Sequence, residues 1–173
     1  MNKLEIFNHT IDLDNAKQII DELVPLIKEH GYTAAEINDQ KPWGGYIRLA
    51  NSDTAKFIDE FFPDQNIEIK VDASPKLLIV DRKQILSWQW HARRAEIWHA
   101  LTDNAAYEVS DTDDEPAPKP LNKGEFLFIK QGERHRLLSS GEICVVAEIW
   151  VHTDPNSLSN EDDITRVSDI YAR

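Results

Sequence analysis

The chain of 173 residues has the length of one compact domain with a sizeable core, which excludes two large domains. Its 31 acidic residues against 19 basic ones give a formal charge of −12, which repels phosphate backbones and anionic membrane surfaces and argues against nucleic acid as a partner. A composition of 41% hydrophobic and 29% charged residues is that of a folded protein, outside the low-hydrophobicity regime of disorder.

The N-terminus, Met1-Asn2-Lys3-Leu4-Glu5, has no basic segment followed by an apolar one, and no run approaches the ~20 apolar residues of a membrane span. A cytoplasmic protein with no membrane partner is expected. Between Leu13 and His30, apolar residues fall at Ala16, Ile19, Ile20, Leu23, Leu26 and Ile27, the spacing that places them on one helical face. Asp12 or Asp14 offers a cap, Gly31 suits the position just past the end, and Pro25 predicts a kink. A second, shorter helix is expected from a Ser52 cap through Ala55, Ile58 and Phe61 to Phe62, where Pro63 stops it.

From about Ile67 the texture changes to short runs rich in Ile, Val, Leu and Trp between turn residues, as in an all-β sandwich or barrel. Leu77–Val80, Ile85–His91, Glu96–Leu101, Glu125–Ile129, Arg136–Leu138 and Ile143–Val151 are the predicted strands. Residues 1–66 then read as a helical extension packed on a barrel of residues 67–173, within one structural domain. The acidic, proline-rich segment from Asp111 to Pro120 predicts a solvent-exposed loop. The single cysteine, Cys144, sits in an apolar run and is expected to be buried as a small hydrophobe.

Strand alternation across Trp88-Gln89-Trp90-His91 puts Gln89 and His91 on one face and the two tryptophans on the other. Glu96 opens the next strand, so a hairpin can return its carboxylate towards them. A further strand and glycine turn deliver His135. Imidazole, carboxylate and amide oxygen together suit Zn, Mn, Fe, Co or Ni, and no thiolate favours a closed structural site. An open metal site built from Gln89, His91, Glu96 and His135 is expected, while His9, His30, His99 and His152 lack such a context and read as surface or packing residues.

These intervals resemble the two cupin motifs, G-x5-H-x-H-x3–4-E-x6-G and G-x5-P-x-G-x2-H-x3-N. The second is matched at Gly124, Gly132 and His135; the first keeps His91 and Glu96, with Gln89 in place of its first histidine. Lys41-Pro42-Trp43-Gly44-Gly45-Tyr46 resembles the R/K-P-W-G-x-Y entrance to the isomerase domain of type II mannose-6-phosphate isomerases. The stretch from Glu161 to Arg173 resembles that family's closing E-D-D-I-x-R-x-x-D-x-Y-G-R. The family's Q-M-H-x-H-R-x-E-x-W stretch is matched by Gln89, His91, Arg94, Glu96 and Trp98, although Arg93 stands where the family has its second histidine.

The resemblance implies an all-β cupin core, a double-stranded β-helix or jelly-roll barrel, with N-terminal helices outside it. It also implies one divalent metal ion, zinc first among the candidates, and isomerisation of mannose 6-phosphate to fructose 6-phosphate. The nucleotidyltransferase domain that often precedes this domain is not expected here. Aldose–ketose isomerisation needs a base near neutrality, for which Glu148, a charge inside an apolar run, is the first candidate and Lys76 the second. Arg94, Arg166 and Arg173 are the expected holders of the sugar phosphate through their forked donors, Arg94 serving also in catalysis, and a homodimer through sheet edges is expected. A non-catalytic sugar-binding cupin and a metal-dependent cupin oxygenase are the rival readings.

Overall fold

The computed structural model describes residues 14–68 and 73–172, so Asp12, His9 and Arg173 lie outside the described residues. Helix α1 (Ala16–Glu29) starts later than the periodicity suggested, because Asn15 takes the cap: its extended backbone lets the side chain accept from Gln18 N–H at 3.0 Å. Gln18 returns the bond by accepting from Asp14 N–H at 2.9 Å. The helix runs through Pro25 and closes on Gly31, whose φ of +78° is the left-handed conformation such an ending requires. The Gly31 N–H then reaches the Lys28 carbonyl and the Tyr32 N–H the Ile27 carbonyl.

Two strands follow, β1 (Ala34–Lys41) and β2 (Gly44–Leu49), then a 3₁₀ turn (Asn51–Asp53) and helix α2 (Thr54–Phe61). Ser52 does not cap α2: Asp53 occupies that place, and its carboxylate accepts from Thr33 N–H at 2.7 Å. The remaining elements are β3 (Lys76–Val80), β4 (Trp88–Trp90), β5 (Arg94–Ala100), β6 (Ala105–Ser110), β7 (Lys119–Leu121), β8 (Phe126–Ile129), β9 (Arg134–Ser139), β10 (Cys144–His152) and β11 (Thr165–Ser168).

They form two antiparallel sheets, one ordered β1-β2-β3-β10-β5-β8 and the other β11-β4-β9-β6-β7. The jelly-roll fold is as expected. Residues 34–49 were not expected as strands, yet they extend the larger sheet through the pairing of β2 with β3. The run Ile85–His91 yields only the three-residue β4, with Ile85 in an isolated bridge to Leu138. The acidic segment is exposed from Asp111 to Glu115 as read, but its end, Lys119–Leu121, pairs with β6.

Alternation in the larger sheet divides the apolar residues into two cores. Ile47, Leu49, Leu77, Ile79, Ile97, Val145, Ala147 and Ile149 face outward and are covered by Ile19, Ile20 and Leu23 of α1 and Phe57 and Phe61 of α2. Tyr46, Leu78, Val80, Trp98, Ala100, Cys144 and Val146 face inward and pack with Ala105, Leu121 and Leu137 of the smaller sheet. Burial pushes the Cys144 thiol up to about 12, as suits a small hydrophobe. Gly44 is required where β2 enters the sheet: its φ is +135°, and a Cβ there would sit 2.2 Å from the Ile79 carbonyl oxygen. No helix among the described residues is long and apolar enough to cross a membrane.

Candidate metal centre and adjoining cavity

Three elements of two sheets converge at one end of the barrel. Gln89 of β4 lies opposite His135 of β9 in register, His91 directly follows β4, and Glu96 projects inward from β5. His91, Glu96 and His135 are each at most 2% exposed, and one potential ligand atom of each lies within 4.8 Å of the others. Glu96 bridges the pair, with Oε1 3.1 Å from His91 Nε2 and Oε2 3.4 Å from His135 Nε2.

Both imidazoles are turned the same way. His91 Nδ1–H donates to the Asp163 carbonyl and His135 Nδ1–H to the Glu133 carbonyl at 2.9 Å, so in each ring it is Nε2 that faces Glu96 and would give its lone pair to a cation. His135 Nε2 is buried and has no hydrogen-bond partner among the described residues. An unsatisfied buried nitrogen is costly, and a divalent cation would satisfy it, so the donor set fits one. Burial opposes ionisation of Glu96, yet His91, Arg94 and His135 hold its carboxyl well below the usual carboxylate range.

Gln89 stands at the edge of this cluster. Its oxygen accepts from the Ser87 hydroxyl at 2.7 Å and its amide nitrogen lies 3.5 Å from His91 Nε2; half a turn of the terminal amide would exchange the two. Arg94 lies inside the barrel wall, 4% exposed, with its guanidinium 3.7 Å above the Trp150 ring. Its Nε donates to Glu96 Oε1 at 2.8 Å, Nη1 to Ser159, Asn160 and Asp163, and Nη2 to His91 Nε2 at 3.2 Å. The fork expected to meet a phosphate is thus taken up by protein acceptors.

A cavity of about 350 Å³ opens beside the cluster, and Glu96, Glu148, Lys76, Lys41 and Arg166 all line it. Glu148 is buried at the centre of β10, where two indole N–H groups donate to its carboxylate. Trp98 Nε1–H gives to Oε2 at 3.1 Å and Trp150 Nε1–H to Oε1 at 3.0 Å. Burial, and then the charge of Glu96, push the Glu148 carboxyl up to about 7 against the pull of Lys76 and Arg94. Lys76 sits opposite Glu148 in register, but its ammonium binds Glu161 at 2.6 Å and lies 4.1 Å from the Trp150 ring. Arg166, on β11, lies at the cavity with its Nε 3.9 Å from Asp169.

The other histidines among the described residues lie away from the cluster. His30 Nδ1 caps the Leu26 carbonyl at 2.8 Å, His99 stacks on Phe126 at 4.3 Å, and His152 accepts from Ser159 N–H at 3.0 Å. Among the groups at the site that carried no assigned role in the sequence reading are Asp163 and Glu161. Both lie in the closing motif, but only the folded chain brings them to His91 and Lys76.

The family model "Mannose-6-phosphate isomerase C-terminal" matches residues 32–169. No curated protein matches the chain. Among solved structures, oxalate decarboxylase from Bacillus subtilis is 12% identical with a TM-score of 0.54, over 78% of this chain and 31% of that one. The capsular polysaccharide assembling protein CapF from Staphylococcus aureus is 15% identical with a TM-score of 0.50, over 76% of this chain and 33% of that one. The chain therefore spans about a third of the length of these two proteins. At such identities the likeness concerns the fold alone.

Proposed function

Because the chain belongs to the mannose-6-phosphate isomerase C-terminal family of cupins, we propose that it is a metal-dependent aldose–ketose isomerase of sugar phosphates, acting on mannose 6-phosphate to give fructose 6-phosphate. The observation that carries this reading is the shared cavity: Glu96 of the ligand cluster and Glu148, a carboxylate poised near neutrality, line the same space. His91 Nε2, His135 Nε2 and the Glu96 carboxylate would hold the ion, with Gln89 as a fourth donor. Two imidazoles and one carboxylate form a set in which zinc keeps a position open. The ion when bound supplies polarisation of the sugar's carbonyl and hydroxyl oxygens.

The proton transfer falls to Glu148. Its carboxylate takes the proton from C2 of the aldose, the released electron pair forms the C1–C2 double bond as the C1–O1 π pair moves onto O1, the O2 proton passes to O1, and the same carboxyl returns its proton to C1 as the C2 carbonyl forms. Trp98 and Trp150 aim the two oxygens and stabilise the ionised form between turnovers. Lys76 beside it is drawn towards Glu161, which favours Glu148 over Lys76 as the base. For the phosphate, Arg166 and Lys41 supply charge at the cavity, whereas Arg94 serves by keeping Glu96 ionised.

The test is an isomerase assay with mannose 6-phosphate on zinc-loaded protein, alongside Glu148→Gln. Conversion by the parent protein and a loss of roughly 10²–10⁴-fold in kcat with the metal content retained are expected. An inactive, metal-loaded parent protein would defeat the isomerase reading. One observation favours a second reading, a non-catalytic sugar-phosphate-binding cupin: Arg94 already balances the charge of Glu96 at 2.8 Å. That alternative predicts saturable binding without turnover.

A further inference from the structure

The two imidazoles of the cluster are held by different means. His135 is fixed locally, through the carbonyl of Glu133 two residues earlier. His91 is fixed by the carbonyl of Asp163, 72 residues further along the chain. Asp163 is itself locked in place: its carboxylate accepts from the N–H of Ala92 at 2.9 Å, the N–H of Arg93 at 3.1 Å and the Ser159 hydroxyl at 2.6 Å. The same carbonyl that holds His91 also accepts from Arg94 Nη1 at 3.1 Å. One buried residue of the C-terminal segment, 6% exposed, thus grips the ring of His91 and the two backbone N–H groups that follow it in the turn from β4 to β5.

We infer that Asp163 is a positioning residue for the metal centre: by clamping the turn after β4 and accepting from His91 Nδ1–H, it sets the tautomer and ring orientation that present His91 Nε2 to the cation. The inference rests on the metal reading above and adds a dependence that the ligands alone do not reveal. His91 is correctly presented only when the segment 159–163 is docked, whereas His135 needs nothing beyond its own turn. Groups that hold the far nitrogen of a ligating imidazole typically govern 10–100-fold in metal affinity.

The test uses the full chain carrying Asp163→Ala, with Zn²⁺ affinity measured by competition with a chromogenic chelator and the ring nitrogens of His91 followed by NMR on apo protein. A 10–100-fold weaker affinity is expected, together with a His91 signal that moves from a single Nδ1–H form in the parent to a mixture of tautomers while His135 stays unchanged. A fold-wide collapse would alter both histidines alike, so the split between them separates positioning from general structure. Should Asp163→Ala not fold, Asp163→Asn, which keeps the volume and one acceptor oxygen, carries the same comparison. Unchanged affinity and an unchanged His91 tautomer in a folded variant overturn the inference and leave the metal reading standing. A parent protein that takes up no Zn²⁺ removes both.

Discussion

Replacing Trp150 by Phe withdraws one donor from Glu148 and leaves an aromatic ring beneath Arg94 and Lys76. The lost bond is 3.0 Å long and buried, and it favours the ionised carboxylate. A hydrogen bond to a charged group contributes roughly 1.5–3 kcal/mol, and one pKa unit corresponds to about 1.4 kcal/mol, so the Glu148 carboxyl rises by about one to two units from its position near 7. A base works only when deprotonated, so activity is lost as the pH falls through the carboxyl's pKa, and the substitution moves that loss to higher pH. For a one-unit rise, the ionised fraction at pH 7 drops from about a half to about a tenth, roughly a five-fold loss of rate that alkaline pH restores. The measurement is kcat/KM for mannose 6-phosphate across the pH range in both proteins. An acid limb that stays in place, or a rate lowered equally at every pH, refutes the assignment of Glu148 as the base.

Three further outcomes follow from the geometry. His135→Ala removes the orphaned nitrogen of the cluster, and the variant should retain little bound zinc after dialysis by elemental analysis; a full complement of metal would place the centre elsewhere. His99 is buried against Phe62 and Phe126, and burial lowers its pKa from 6.5. The unfolded chain takes up a proton near 6.5 that the folded chain resists, so stability should fall by up to about 1.4 kcal/mol per pH unit below that point. His99→Phe should flatten this part of the curve in thermal melts at successive pH values, and an equal slope in both proteins counts against it. Gly44→Ala forces a Cβ to within 2.2 Å of the Ile79 carbonyl at a positive φ, and a loss of about 2–4 kcal/mol in chemical unfolding is expected; a neutral effect would mean that β2 can shift.

The strands that announced themselves were those with an apolar load. Leu77-Leu78-Ile79-Val80 and the run ending at Val151 could be read because β3 and β10 lie between two cores and are buried along most of their length. By contrast β1, Ala34–Lys41, is polar on both faces and half exposed; it is a strand because β2 pairs with it and α1 packs over it, neither of which is written in its own residues. The same holds for β11, whose four residues are mostly exposed and are held by pairing with β4. At the site, motif spacing located His91, Glu96 and His135. Spacing could not show that β5 and β10 align Trp98 and Trp150 around Glu148, because that depends on register between strands some fifty residues apart. Nor could it show that Arg94 would find its acceptors within the protein, since Ser159, Asn160 and Asp163 reach it only through the course of the C-terminal segment.

The side chains of β10 alternate between a greasy underside and an upper side that lines the cavity. Val145, Ala147 and Ile149 are seated on the helices, while Glu148 and Trp150 rise from the same backbone into the cavity. A slackening of α1 or α2, remote from the cavity, would therefore reach Glu148, the proposed base, as a tilt of its own strand. In this protein the upkeep of an oily layer and the aim of a carboxylate are one mechanical problem.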